Sequence, residues 1–559
     1  MTGSWLRFAC CFSIPFYLLT GCRQPQQQIK SELQGEISSG HLATLKWPDF
    51  SDYQPLVQTF YGQRNFAPAW IANGKPTSQA RELLSAFNDS GVKGLIPEDY
   101  DGARWQDRVK SVGSSPTLDA QFDLAMTVCA MRYISDLHIG RTNPKHFDFG
   151  IDVNQKKYDL PQFLSEKVVS ASNVGPVLAS VEPQADEYRR TEAALQKYIE
   201  LAAKPAAAAL PAVGAPVSAG GSYAGADELA ARLQLMGDLD GNDGGSGQSQ
   251  SYNTRLAQGV KSFQLRHGLP NDGKLTAQTI AALNVPLDQR VRQLDDTLER
   301  WRWLSDTYAN APIFVNLPEF ALRAYGDGHK LDFMMAVIVG QALEDKKTPL
   351  IEHEMKYLVF RPYWNVPISI VRKELMKHVS ANKGYLASHN FEVTNQAGKP
   401  VANWTAHELE QGTLMVREKP GQKNSLGLIK FMFPNEYDIY LHSTPAAQLF
   451  SHTKRDFSHG CIRVADPAKL AEWLLRDQPE WTAEKVEESL NQGPDNHTVN
   501  LKTPVPVVIF YATAFVHDDG RVYFFDDLYG YDQQLEDSLR KGPPYPQAPA
   551  EKQKSGDTV

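Results

Sequence analysis

Cysteine is scarce in this sequence. Five stand among 559 residues, Cys10, Cys11, Cys22, Cys129 and Cys461, and they do not form a disulfide framework. Charge of one sign is also in short supply: a formal net charge of −8 gives no general pull toward nucleic acid, though it leaves room for a local basic groove. No phosphate loop, dinucleotide fingerprint or calcium loop occurs, so no cofactor is expected. Long apolar runs are missing as well. The one near the start, Phe8 to Leu19, is broken by Ser13 and Pro15 and falls short of the roughly 20 residues a membrane span needs. What remains is ordinary globular composition, 42% hydrophobic and 10% aromatic. The chain is too long for a single core and is expected to divide into about three or four domains.

The basic Arg7, the short apolar run and a small-residue exit read as a secretory signal over residues 1–21. Its last residues, Leu19-Thr20-Gly21-Cys22, resemble the bacterial lipoprotein box. That resemblance implies cleavage before Cys22, lipidation of Cys22 and a periplasmic protein anchored to a membrane. Acyl chains contribute about 0.8 kcal/mol per buried methylene, so a multiply acylated cysteine anchors stably. Arg23 rather than Asp after the cysteine fits outer-membrane sorting. An ordinary cleaved signal with an incidental cysteine is the alternative. Processing leaves two thiols: Cys129, in the apolar helical stretch Leu124 to Met131, reads as a small core residue, and Cys461 sits in different company.

The pattern along the chain predicts a multidomain α+β protein. Residues 22–45 are Gln- and Ser-rich and read as a tether. Residues 46–203 read as a helical scaffold, with helices over Ser78 to Phe87, an amphipathic one over Asp119 to Leu137, and a third from Asp186 to Ala203. Residues 204–225 are Ala/Pro/Gly-rich and read as a flexible linker. A small three-helix unit is expected over 226–287, with a flexible Gly/Ser/Asp-rich insertion at 237–251, followed by a connecting helix at 288–310. From 311 to 540 the period becomes alternating. Ile313 to Leu317, Ala321 to Tyr325, Phe333 to Val339, Ile429 to Phe433, Tyr437 to His442, Val507 to Tyr511 and Val522 to Phe525 read as strands. Asp466 caps a helix that Pro467 opens. An insertion at about 370–428 interrupts this β-rich region, and 541–559 read as a disordered tail.

The chemistry concentrates in Ile439-Tyr440-Leu441-His442-Ser443-Thr444-Pro445 and in Phe457-Ser458-His459-Gly460-Cys461-Ile462-Arg463-Val464. A thiol needs a base partner to act at neutral pH, because its ordinary pKa is near 8.5. His442 is the candidate base and Cys461 the candidate nucleophile. Gly460 allows close backbone approach, so that the amides of Gly460 and Cys461 face a developing oxyanion. Arg463 is placed to hold a substrate carboxylate.

These two segments resemble the L,D-transpeptidase signature: a histidine, about fifteen residues, then Ser/Thr-His-Gly-Cys. Residues 443 to 457 supply the spacer. Arg300-Trp301-Arg302-Trp303-Leu304, Val337-Ile338-Val339-Gly340, Thr348-Pro349 and Pro362-Tyr363-Trp364-Asn365-Val366-Pro367 resemble the large Gram-negative members, as do Phe60-Tyr61, Trp70, Gly94-Leu95 and Asp99-Tyr100. Ile462-Arg463 replaces the commoner apolar-Asn pair, a variant those large members share. The unit at 226–287 resembles a peptidoglycan-binding domain through Phe263-Gln264, His267-Gly268-Leu269, Asp272-Gly273, Thr279 and Leu283-Asn284.

The resemblance implies attack by Cys461 on a peptidoglycan stem peptide, a thioester, and transfer to a second stem as a 3→3 cross-link. It assigns His459 a supporting role and Arg463 to substrate binding; Tyr440 is close enough in sequence to line the oxyanion region, and Tyr440, Ser458 and Trp364 are further candidates for substrate contact. The 370–428 insertion becomes a mobile cap, and carbapenems become expected acylating agents. Stem peptides and, through Cys22, a membrane are the expected partners; nucleic acid is not. Hydrolysis of the same thioester, making a carboxypeptidase, and a silent wall-binding lipoprotein are the rivals. A zinc site from His442, His452, His459 and Cys461 is a poorer reading, since His459-Gly460-Cys461 is unlike paired-ligand spacing.

Overall fold

The computed structural model describes residues 23–205, 207–240, 251–343 and 345–545. The signal segment 1–21, Cys22, residues 241–250 of the expected insertion and the tail beyond 545 lie outside them. Among the described residues no helix is long and apolar enough to cross a membrane.

The scaffold is built around helix α4, Pro116–Ile139, with α1 (Arg23–Ser39), α2 (Gln54–Gln63) and α3 (Ser78–Asn88) against it and α5 (Asp186–Ala202) beyond. Ser115 starts α4 by accepting from the Leu118 amide, and Pro116 fills the first turn, where its missing N–H costs nothing. This helix is not amphipathic as expected. Every residue from Phe122 to Ile134 is buried, because neighbours surround it. Its polar members are answered individually. Asp123 accepts from the Tyr61 hydroxyl at 2.6 Å and the Trp70 amide at 2.8 Å, Thr127 from the Trp70 indole at 2.9 Å, and Asp136 from the Tyr100 hydroxyl at 2.8 Å. Cys129 is fully buried in the same helix.

Three stretches read as flexible are structured. Residues 23–45 are no tether: Ile29, Leu33 and Ile37 stand at i, i+4 and i+8, one apolar stripe that packs on α4, and Leu33 and Ile37 are wholly buried. The polar composition around that stripe hid it. Residues 207–225 are no free linker either. Leu210 and Tyr223 enter the core of the small unit, and Val217 pairs with Leu275 as an isolated bridge. At the flank of the insertion, Asp238 forms a buried ion pair with Arg266. After the helix Tyr531–Leu539 the chain returns to the scaffold, where the Tyr545 hydroxyl donates to Asp99 at 3.1 Å.

The small unit has three helices, α6 (Ala226–Leu235), α7 (Thr254–Arg266) and α8 (Ala277–Leu283). Gln264 knits it together, accepting from the Gly273 amide at 2.8 Å and donating to the Lys274 carbonyl at 2.9 Å and Thr279 at 3.1 Å. Gly273 has φ 74°, and a Cβ there would meet the Ala257 carbonyl at 2.9 Å, so only glycine fits. His267 stacks on Phe263 at 3.7 Å and on Phe524 of the β-rich region at 5.7 Å. Helix α9, Leu287–Trp303, then joins all three parts. Trp301 stacks on Phe314 at 5.4 Å, Arg300 binds Asp532 at 2.6 Å, and Glu299 binds Arg141 at 3.1 Å.

The β-rich region is a closed sheet. In chain order its strands are β1 (Ile313–Asn316), β2 (Ala321–Tyr325), β3 (Leu331–Gly340), β4 (Ile351–Phe360), then after an insertion β8 (Ile429–Met432), β9 (Leu441–His442), β10 (Asp456–Ser458), β11 (Ile462–Val464) and β12 (His497–Phe510). The spatial order is β10-β3-β11-β9-β8-β4-β12-β1-β2, and β2 pairs back onto β3. Closure removes open edges. Strand β4 and the first half of β12 went unrecognised in the sequence. Their 10 and 14 residues mix exposed Glu and Lys with apolar positions. The hairpin of β13 (Ala514–Val516) and β14 (Val522–Phe524) turns at Gly520. Asp466 caps Pro467–Leu474 as expected. The insertion has its own three-stranded sheet, β6 (Phe391–Thr394), β7 (Met415–Glu418) and β5 (Trp364–Asn365), and its own core of Val371, Leu375, Val379, Leu409 and Val416. It therefore begins at Trp364, earlier than the sequence indicated.

Candidate active site

Strand register assembles the site. In β9, Leu441 pairs with Phe431 of β8 and Ile462 of β11, and all three are fully buried in the barrel. Alternation then turns His442, Lys430 and Arg463, which pair with one another across the same three strands, to the other face. Continuing the β9–β11 register by one residue sets Tyr440 beside Cys461. The amide of Ile462 donates to the Tyr440 carbonyl at 3.1 Å, and the Tyr440 hydroxyl hydrogen-bonds the Cys461 thiol and the Trp364 side chain. The thiol and the imidazole are thus diagonal neighbours on one face, and the first residue of the cap reaches them through Tyr440.

The turn carrying the thiol is stapled by one hydroxyl. Ser458 Oγ donates to the Cys461 carbonyl at 2.5 Å and accepts from the Gly460 amide at 3.1 Å. The Gly460 carbonyl accepts from Thr348 at 2.7 Å, and Gly460 sits at φ 124°, a conformation that favours glycine. Two expectations change. Ser458, expected to contact substrate, is 2% exposed and its hydroxyl is engaged within the turn. The Gly460 amide is spent on Ser458, whereas the Cys461 amide donates no hydrogen bond among the described residues.

His442 is buried, and its Nδ1 lies 2.6 Å from the Ser443 carbonyl. A carbonyl only accepts, so Nδ1 carries the hydrogen and Nε2 keeps the lone pair a base needs. Burial, helped by the Arg463 charge, pushes the imidazole down to about 3. Burial pushes the Cys461 thiol up to about 11, against the hydrogen bonds from Tyr440. The Sγ donates to the Asp438 carbonyl at 3.6 Å. The resting pair is therefore a neutral thiol and a neutral imidazole, not a thiolate–imidazolium pair.

His459 reaches the cap. Its Nε2 lies 2.7 Å from Glu374 of the cap, which Lys346 also approaches at 3.6 Å, while Lys373 pairs with Asp345. His459 thus fastens the cap to the catalytic loop. His452 packs against Phe457, and among the described residues no three His, Cys, Asp or Glu side chains are grouped to hold a metal. Lys430 and Glu374 were missed in the sequence. A lone lysine in the alternating run Ile429-Lys430-Phe431 was the available signal for the first; the second becomes visible only when the cap is folded.

The family described as the L,D-transpeptidase catalytic domain matches residues 311–509. The chain carries an L,D-transpeptidase domain. Residues 55–195 match a family described as a scaffold domain, and 225–283 one provisionally described as a peptidoglycan binding domain. The three matches follow one another along the chain in the order scaffold, peptidoglycan binding and transpeptidase. A Haemophilus influenzae protein provisionally named an L,D-transpeptidase is 30% identical over 276 residues, 48% of this chain. The match spans 54% of that protein, about half its length. Within the transpeptidase domain lie Lys430, Tyr440, His442, Ser458, Gly460, Cys461 and Arg463, and the cap is an insertion between its strands β4 and β8.

Proposed function

We propose that the protein forms 3→3 cross-links between peptidoglycan stem peptides through a thioester on Cys461. The observation carrying this reading is the register that sets the Cys461 thiol and the His442 imidazole on one face beside the cap. Nε2 of His442 takes the thiol proton as Sγ bonds to the donor carbonyl carbon. The scissile C–N bond then breaks, and the imidazolium returns that proton to the leaving amine. The Cys461 amide and the Tyr440 hydroxyl are the oxyanion donors. A side-chain amine of a second stem next attacks the thioester. His442 accepts its proton, the C–S bond breaks, and the proton passes to the sulfur, restoring the neutral thiol. Water in place of the amine makes the same enzyme a carboxypeptidase.

The setting proposed is the periplasm, with a lipid on Cys22 and an outer-membrane anchor. The test is incubation of the purified protein with tetrapeptide muropeptides and identification of products by mass. Cross-linked dimers support the proposal, and monomeric tripeptides alone replace it with the carboxypeptidase. Both products are expected to vanish in Cys461→Ala. Carbapenem addition to Cys461 is read in the same assay.

A further inference from the structure

Lys430 and Arg463 stand on either side of His442, one on β8 and one on β11, each directly paired with it. Both are partly buried, and neither has an ion-pair partner among the described residues. Three buried arginines elsewhere are paired with acids: Arg323 binds Glu319 at 2.6 Å, Arg300 binds Asp532 at 2.6 Å and Arg141 binds Glu299 at 3.1 Å. Arg463 pairs with no acid, and its Nε is buried with no hydrogen-bond partner. Lys430 Nζ lies 5.7 Å from the centre of the ring of Tyr440, the residue that hydrogen-bonds the thiol. Asp438, the acid nearest the thiol, pairs with neither cation. Holding two like charges beside one another in a desolvated groove is unfavourable, and an anion placed between them removes the penalty.

We propose that Lys430 and Arg463 form one subsite that grips the free α-carboxylate of the donor's terminal residue, and so select donors with a single residue beyond the scissile bond. This rests on the transpeptidase reading above and adds Lys430 and the identity of the carboxylate to it. The geometry matches the reach required. With the scissile carbonyl at Sγ, the terminal carboxylate is one residue away, about 3.3–3.6 Å of extended chain. Neighbouring strands are about 4.8 Å apart, so two long cationic side chains flanking the base close on that position together. A donor extended by one more residue carries its carboxylate past them and leaves a neutral amide between two charges.

The experiment compares rates of Cys461 acylation, by intact mass, for a tetrapeptide donor with a free terminal carboxylate and the same donor as its terminal carboxamide. The full mature chain, Lys430→Met, Lys430→Arg and Arg463→Met are used. The wild type is expected to prefer the free acid by at least about 10-fold, the usual worth of a charge-assisted hydrogen bond. Lys430→Met and Arg463→Met lower the free-acid rate by about 10–100-fold more than the carboxamide rate, so that the preference for the free acid is lost. Lys430→Arg restores the preference. Equal slowing of both donors in Lys430→Met, read beside an unchanged melting temperature, assigns the lysine to tuning the thiol and overturns the subsite. So does a wild type indifferent to the two donors. Absence of any acyl-enzyme overturns the transpeptidase reading itself, and the subsite with it.

Discussion

At the scale of the residue, the site stores its nucleophile uncharged. Burial raises the thiol to about 11 and lowers the imidazole to about 3, so neither ionises near neutral pH and the proton moves only when a substrate is attacked. The rate of Cys461 alkylation by iodoacetamide is therefore expected to climb steadily from pH 6 to pH 10. A plateau below pH 7 would show a standing thiolate instead. Ser458→Ala removes the hydroxyl that joins the Gly460 amide to the Cys461 carbonyl. The two backbone groups it leaves unanswered cost about 1–3 kcal/mol each, and kcat should fall by at least about 10-fold while substrate binding changes little. Cys461, His442 and Arg463 were legible because they lie in two short segments with unusual company. Lys430 and Glu374 were not, since each gains its meaning from a strand or a cap remote in sequence.

At the scale of the element, the helices were read more surely than the strands. Helices α3 and α5 show a 3.6-residue stripe over three or more turns. Strands β9, β10 and β11 are two or three residues long, too short to display a period, although they carry the chemistry. Helix α1 shows the opposite failure, a stripe of three residues diluted by glutamine and serine. Leu33→Ala is expected to destabilise the scaffold by about 2–5 kcal/mol in denaturant unfolding; an unchanged midpoint would return this segment to the status of a tether. The cap has a separate core, so replacing residues 368–424 with a short Gly/Ser link should spare the barrel's melting temperature. Transpeptidation should fall sharply, because Trp364 loses its support and His459 its partner. Equal losses of both would make the cap a structural part of the barrel.

At the scale of the whole molecule, the domain order was visible in the sequence while the contacts between domains were not. Nothing in the one-dimensional pattern announces that α9 is buried on nearly every side, or that Arg300, Glu299 and Arg302 are answered by residues from other domains. Buried acids give the assembly a pH dependence. Burial lifts Asp136 to about 8 from an ordinary 3.8. The folded protein therefore holds a proton that the unfolded chain has released between those values. The stabilisation this group provides is complete below about pH 4 and fades as pH rises toward 8. Asp136→Asn, which keeps a polar partner for Tyr100, should gain melting temperature over the wild type as pH is raised from 5 to 8, and a constant difference would refute the assignment.

Helix α1 starts at residue 23, directly after the cysteine proposed to carry the lipid. A leash of unstructured residues would let the catalytic groove sample the wall at many depths. If Cys22 carries that lipid, no such slack separates the scaffold from the bilayer, and the groove would work at one standoff set by the stacking of scaffold and barrel. Cross-links made by this protein would then form a thin stratum of the wall at a fixed height. Lengthening the chain between residues 22 and 23 would move that stratum without touching the chemistry.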